Sequence, residues 1–139
     1  MVNQHASHPS PLVLVVDDDR DTRDMYAMFL DVSGFRVVTA GDADTAFDHA
    51  VADSPALVIT DYQLRGGTTG ADLCRRLKQH PRTAQVPALL VTGSTRRVDA
   101  EEALGAGCAE IRIKPYHLDD LLADVQALTH SRMDSPGPL

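Results

Sequence analysis

Three consecutive carboxylates, Asp17-Asp18-Asp19, follow the apolar run Leu12-Val13-Leu14-Val15-Val16, and a fourth, Asp61, follows Ala56-Leu57-Val58-Ile59-Thr60. A hydroxyl, Thr92, ends the run Ala88-Leu89-Leu90-Val91, and an ammonium, Lys114, ends Glu110-Ile111-Arg112-Ile113. Carboxylates that converge on one crevice repel one another and raise each other's pKa unless a cation compensates. Hard oxygen donors without nearby His or Cys favour Mg²⁺ or Mn²⁺, and Mg²⁺ binds through one or two carboxylates plus phosphate while keeping several waters. That leaves room for phosphoryl chemistry, in which a Lys and a Thr stabilise charge on the transferring group by preorganised electrostatics. Singly, an Asp after a strand is commonly a helix cap or turn former. It is the set, at four of five predicted strand ends, that points to a site.

The elements that must bring these groups together are legible in the hydropathy pattern. Four apolar runs, with Phe35-Arg36-Val37-Val38-Thr39 as a further strand, predict five strands, and the unbroken apolarity of the first suits a strand covered on both faces. Between them, Met25, Met28, Phe29 and Val32 recur at helical spacing, as do Ala43, Ala46, Phe47 and Ala50, and Leu118, Leu121, Leu122 and Val125. Weaker stripes at Leu73, Cys74 and Leu77 and at Ala100, Ala103, Leu104 and Gly107 complete five helices. Alternating strands and helices predict a doubly wound (βα)5 three-layer α/β sandwich, its parallel five-stranded sheet in the order 2-1-3-4-5 of the flavodoxin-like fold. Ligands in such sheets bind beyond the carboxyl ends of the strands, near the point where strand order reverses. The second strand ends in Ala40-Gly41 and offers nothing reactive there.

Composition narrows the class. The 139 residues suit one domain, and 43% hydrophobic with 24% charged residues is the balance of an ordinary globular chain. A net charge of −7, with at most two adjacent basic residues, argues against direct DNA binding. The longest wholly apolar stretch, Leu12–Val16, is far below the roughly 20 residues of a membrane helix, and the polar residues 1–11 lack the apolar centre of a signal peptide. The expected location is the cytoplasm. Residues 1–11 and 133–139 read as flexible tails around a domain at 12–132. Cys74 and Cys108 form no metal-ligand pattern and read as two reduced, partly buried thiols, and the six scattered histidines carry no zinc spacing. No Ser-His-Asp arrangement can be placed at strand ends.

Val-Val-Asp-Asp-Asp, Val-Ile-Thr-Asp-Tyr-Gln-Leu, Leu-Val-Thr-Gly and Ile-Lys-Pro-Tyr, in this order and spacing, resemble the receiver domain of two-component response regulators. The resemblance implies that Asp61 accepts a phosphoryl group from a phosphohistidine on a sensor histidine kinase or histidine phosphotransfer protein. It further implies that Asp18 binds Mg²⁺ directly, Asp17 largely through water, and the main-chain carbonyl of Gln63 completes the protein ligands. Thr92 and Lys114 would contact the phosphoryl oxygens, with Pro115 after a cis peptide bond. Asp19 falls outside this set and reads as the residue that starts the helix from Arg20. The chain would then be a stand-alone receiver, or a piece of a hybrid kinase, signalling to an unknown protein target.

Two positions depart from the family pattern. Arg65 stands where a proline is usual, and the matching glycine, Gly70, lies nine residues after Asp61 rather than eight, so the loop rich in Gly66, Gly67 and Gly70 reads as longer and mobile. No Gly-Lys-Ser or Gly-Lys-Thr accompanies it, which argues against nucleotide binding. Ile111 replaces the usual switch aromatic, and Tyr116 stands at a different position. Two other readings remain open. One is a receiver-fold adaptor that is never phosphorylated. The other is a haloacid-dehalogenase-like phosphohydrolase with Asp17 as nucleophile, whose late acidic pair would have to be Asp119-Asp120.

Overall fold

Every apolar run predicted as a strand forms one in the computed structural model, which describes residues 10–133. The order is β1 (Leu12–Val16), α1 (Arg20–Val32), β2 (Arg36–Ala40), α2 (Ala43–Asp53), β3 (Leu57–Asp61), a short 3-10 turn (Arg65–Gly67), α3 (Gly70–Gln79), β4 (Ala88–Thr92), α4 (Arg97–Gly105), β5 (Glu110–Ile113) and α5 (Leu118–Met133). The five strands form one parallel sheet in the order β2-β1-β3-β4-β5. Most of the two predicted tails, residues 1–9 and 134–139, lies outside the described residues. The carbonyls of Ser10 and Pro11 accept hydrogen bonds from Arg36, which lays this segment beside β2.

Strand alternation sorts the core. Val13 and Val15 face α1 and α5 with Ile59, Val91, Leu121 and Val125, whereas Leu14 and Val16 face α2 and α3 with Val58, Leu73 and Leu77. A third cluster packs α3 and α4 over β4 through Cys74, Leu90, Ala103 and Cys108. Helices α1, α2 and α3 begin where side chains satisfy their first amides: Asp19 accepts from Thr22, Asp42 from Thr45, and Thr69 and Asp72 form a capping box.

Two helical stripes differ in phase from the sequence reading. On α1, Met25, Met28 and Val32 are 48%, 71% and 76% exposed, while Tyr26 and Leu30 are buried with Phe29 packed beside them. The period is as expected, but a Tyr counts for little in a hydropathy pattern although its ring fills core as well as an aliphatic chain does. On α4, Leu104 is exposed and the small residues Ala103 and Ala106 face the sheet. The flat alanine surface lets α4 approach closely, and Leu104 falls on the opposite side.

Candidate functional site

Asp17 continues the β1 ladder: its N–H donates to the Ala40 carbonyl at 3.1 Å, and its own carbonyl accepts from the Arg23 guanidinium at 2.9 Å. This seats Asp17, a residue only 6% exposed, at the carboxyl end of β1, where its Oδ1 accepts the Asp19 N–H at 2.9 Å. Burial raises the Asp17 pKa against the lowering effect of that hydrogen bond, and the charge of Asp61 raises it further. Asp19 turns away and caps α1 as expected, and its hydrogen bonds from Thr22 hold its pKa below the ordinary value.

Asp61 and Thr92 are the last residues of β3 and β4 rather than the first beyond them, because both still pair across the sheet, Asp61 with Val91 and Thr92 with Ile113. The ladder then hands on two neighbours: Tyr62 N–H donates to Val91, and Lys114 N–H donates to Thr92. The Lys114 ammonium lies 3.1 Å from Asp61 Oδ1, and that same oxygen accepts the Tyr62 N–H at 2.9 Å. The Lys114-Pro115 peptide is cis. Ligand oxygens of Asp17, Asp18 and Asp61 lie within 4.8 Å of one another, an arrangement suited to a hard divalent cation. Asp61, Gln63, Thr92 and Lys114 line one crevice of about 390 Å³ beside this cluster.

Gly70 accounts for the closeness of the next layer. A Cβ there would stand 2.4 Å from the Asp61 carbonyl oxygen and about 3 Å from Leu90 and Thr60, so α3 starts directly on the backbone of the site. The intervening loop is anchored by buried Leu64 and closed by a Gln63–Thr69 bridge, with Gly66 and Gly67 both at positive φ.

The response regulator receiver domain family matches residues 13–126. The chain belongs to this family. The phosphate regulon regulator PhoB of Pseudomonas aeruginosa is 30% identical over 125 residues, covering 90% of this chain and 53% of PhoB. The DNA-binding transcriptional regulator RpaA of Synechocystis is 29% identical over 140 residues, 93% of this chain and 58% of RpaA. This receiver therefore spans little more than half of those regulators. Among solved structures, chemotaxis response regulator CheY4 of Vibrio cholerae superposes with a TM-score of 0.80 at 25% identity, covering 86% of this chain and 98% of CheY4. A CheY-like receiver of Methanospirillum hungatei shares the fold at a TM-score of 0.84 and 21% identity, covering 91% and 99% of the two chains. Receiver domains are signalling switches rather than conventional enzymes.

The acidic pair that a phosphohydrolase would need, Asp119 and Asp120, sits exposed in the first turn of α5 and outside the carboxylate cluster. Among the described residues, no helix is long and apolar enough to cross a membrane.

Sequence reading missed the groups that surround the crevice. Tyr62 donates its hydroxyl to Glu102 of α4 at 2.5 Å, which pushes the Tyr62 pKa up to about 12, and Arg75 of α3 bridges Asp72 and Glu102. Ser94 N–H donates to Thr92 Oγ1, and the Ser94 hydroxyl donates to Asp99 in the first turn of α4. These partners are separated by as many as 40 residues, and the only local signal is the place of Tyr62 one residue after Asp61 and of Ser94 two residues after Thr92. The expected switch position, Ile111, packs with Tyr62 against the cluster beneath α4.

Proposed function

We propose that this receiver is a Mg²⁺-dependent phosphorylation switch in which Asp61 accepts a phosphoryl group from a phosphohistidine on a histidine kinase or phosphotransfer protein. The observation that carries it is the Lys114 ammonium 3.1 Å from Asp61 Oδ1, beside a three-carboxylate cluster at the sheet's order-reversal point. The donor set fits the metal: oxygen ligands only, one of them buried and reluctant to ionise without a compensating cation. Asp18 and Asp61 would hold Mg²⁺ directly, Asp17 through water, and the Gln63 carbonyl would complete the set. Bound there, the metal would neutralise charge on the phosphoryl oxygens.

The two described donors to the Asp61 carboxylate both meet Oδ1, which leaves Oδ2 as the attacking oxygen. As the new P–O bond forms, the P–N bond of the phosphohistidine breaks and its electron pair returns to the imidazole. Lys114 and the Thr92 hydroxyl then stabilise the phosphoryl oxygens; water later attacks phosphorus, the P–O bond to Asp61 breaks, and inorganic phosphate departs with the Asp61 carboxylate restored. Contact with the kinase, and with a protein target, would use surfaces around this crevice. PhoB and RpaA are transcriptional regulators by name, but the net charge of −7 favours protein contacts over DNA for this chain.

Labelling with Mg²⁺ and acetyl phosphate, followed by mass spectrometry, tests the reading. Trypsin places Asp61 on the peptide Val37 to Arg65 and Asp17 on Met1 to Arg20. The phosphoryl group should appear on the first peptide and vanish in Asp61→Asn. Label on the second peptide would point to the phosphohydrolase, and a chain that binds Mg²⁺ yet takes no label from acetyl phosphate or a phosphohistidine donor would point to the adaptor.

A further inference from the structure

The third core cluster brings together two thiols that the phosphoryl site does not use. Cys74, in α3, is fully buried, and Cys108, in the turn before β5, is 6% exposed. Their sulfurs lie 2.8 Å apart, although the residues are 34 positions apart in sequence. A disulfide requires about 2.05 Å, so less than about 1 Å of approach separates the pair from a covalent bond. The surroundings permit that approach, because four of the other residues in the cluster are the alanines Ala71, Ala88, Ala103 and Ala106. No bulky side chain from them wedges the sulfurs apart.

The electrostatics favour a nucleophilic sulfur at one of the two positions. A hydrogen bond joins the two thiols, and it holds the Cys108 thiol below its ordinary pKa and the Cys74 thiol above it. Lys78 and Arg75 lower Cys108 further. The Lys78 stem lies against Gly107, where a Cβ would meet its Cγ at 2.9 Å, while its ammonium donates to the Ala84 and Val86 carbonyls. Both cations come from α3, the helix that carries Cys74.

We propose that Cys74 and Cys108 are a redox modification site: a vicinal thiol pair that hydrogen peroxide converts reversibly into a disulfide joining α3 to the turn before β5. Cys108 reacts first, since it alone retains an exposed edge. Its thiolate attacks one peroxide oxygen, the O–O bond breaks, and the departing hydroxide takes a proton to become water, leaving a sulfenic acid. The Cys74 sulfur then attacks the Cys108 sulfur, the S–O bond breaks, and the leaving hydroxide and the Cys74 proton form a second water. Two thiols and one peroxide give one disulfide and two waters, with each sulfur oxidised by one electron and the peroxide reduced by two. The closed loop contains β4 with Thr92 and all of α4.

The test uses the full chain, treated with hydrogen peroxide under native conditions and digested without reductant. The expected product is a single chain lighter by two hydrogen atoms, with the tryptic peptide Gly66 to Arg75 joined to Val98 to Arg112. Dithiothreitol should reverse it. The oxidised chain should unfold at a higher temperature, by on the order of 10 °C, because the cross-link restricts the unfolded ensemble. In Cys74→Ala, a change that suits an alanine-rich cluster, Cys108 should stop at a sulfenic acid that dimedone captures. The proposal is overturned if the thiols stay free, oxidise separately to sulfinic acids or pair between chains, or if the cross-linked chain unfolds no higher than the reduced one. Absence of the dimedone adduct on Cys108 overturns the assigned order of attack.

Discussion

The Tyr62 hydroxyl donates to Glu102 at 2.5 Å, so the residue that follows Asp61 is fastened to α4. Tyr62 also donates its N–H to the Asp61 carboxylate, which makes one residue a strut between the acidic site and the helix that covers the sheet's β4 side. A strut of this kind transmits displacement because both its ends are hydrogen-bonded and its middle is a rigid ring. Tyr62→Phe keeps the ring and removes the tie. Its expected cost is about 1 kcal/mol in urea unfolding, with faster amide exchange confined to α4. Unchanged exchange in α4 would show that the tie does not hold the helix.

Gly70 sets the distance between α3 and the site. With a Cβ at 2.4 Å from the Asp61 carbonyl, Gly70→Ala forces the backbone of β3 or α3 to move. The expected destabilisation is about 1–3 kcal/mol, the usual range for overpacking, accompanied by weaker Mg²⁺ binding as Asp61 is displaced. Gly93→Ala is the matched control, since a Cβ there meets nothing within 4 Å. Equal midpoints for the two variants in chemical unfolding would contradict this reading.

These two positions illustrate how much the sequence discloses. Gly70 is legible because its offset from Asp61 is local, and Asp19 reads as a helix start because a cap is decided within three residues. Strand runs and the carboxylates at their ends were visible for the same reason. The Tyr62–Glu102 tie and the facing of Cys74 and Cys108 join residues 40 and 34 positions apart, and no local pattern encodes which helices will meet over β4. The phase of α1 differs for another reason: three of the four apolar residues at helical spacing, Met25, Met28 and Val32, face outward while Tyr26 and Leu30 take the core beside Phe29. Periodicity identified the helix, but packing against Val13 and Val15 chose its buried face.

Neutralising Asp17 should stabilise the metal-free fold. Its carboxylate is buried next to Asp61, and both burial and that charge disfavour ionisation. Asn keeps an oxygen to accept the Asp19 N–H. In chelator-treated protein at neutral pH, Asp17→Asn should therefore unfold a few degrees higher than the wild type, on the order of 1 kcal/mol. Adding Mg²⁺ should raise the wild-type midpoint by linkage, and raise that of Asp18→Ala less. A lower midpoint for chelated Asp17→Asn would mean that the carboxylate contributes favourably even without a cation.

Asp124 of α5 has the opposite sign. Burial works against its ionisation, but bidentate hydrogen bonds from Arg112 and one from Tyr116 hold its pKa below the ordinary 3.8. The ionised carboxylate therefore adds stability that is fully present above that ordinary value and is lost as pH falls through the lower folded one. Asp124→Asn should cost about 1–3 kcal/mol at neutral pH, and the gap to the wild type should narrow in urea titrations below about pH 4. A gap that stays constant through that range would assign the loss to packing rather than charge.

The same triad bears on how a signal leaves the site. Tyr116 is the aromatic nearest in sequence to Lys114, yet its hydroxyl is bound to Asp124 and its ring packs in the cluster on the α1 and α5 face. Arg112 pins β5 to α5 through the same carboxylate. Ile111, β-branched and stiff at its first torsion, lies on the other side beside Tyr62. Neither residue offers a ring free to swing when Thr92 is drawn toward a phosphoryl group. Thr92 is instead linked through Ser94 to Asp99, and Asp61 through Tyr62 to Glu102, so both routes from the site end on α4. With beryllofluoride and Mg²⁺ as the phosphoryl mimic, amide exchange should change in residues 93–97 and in α4, and again in the loop at residues 65–70, while β5 stays nearly constant. Tyr62→Phe should weaken the α4 response and leave that of residues 93–97 in place, because the Ser94 route is intact. A response confined to β5 and the start of α5, with both loops silent, would show that the displacement travels through Ile111 after all.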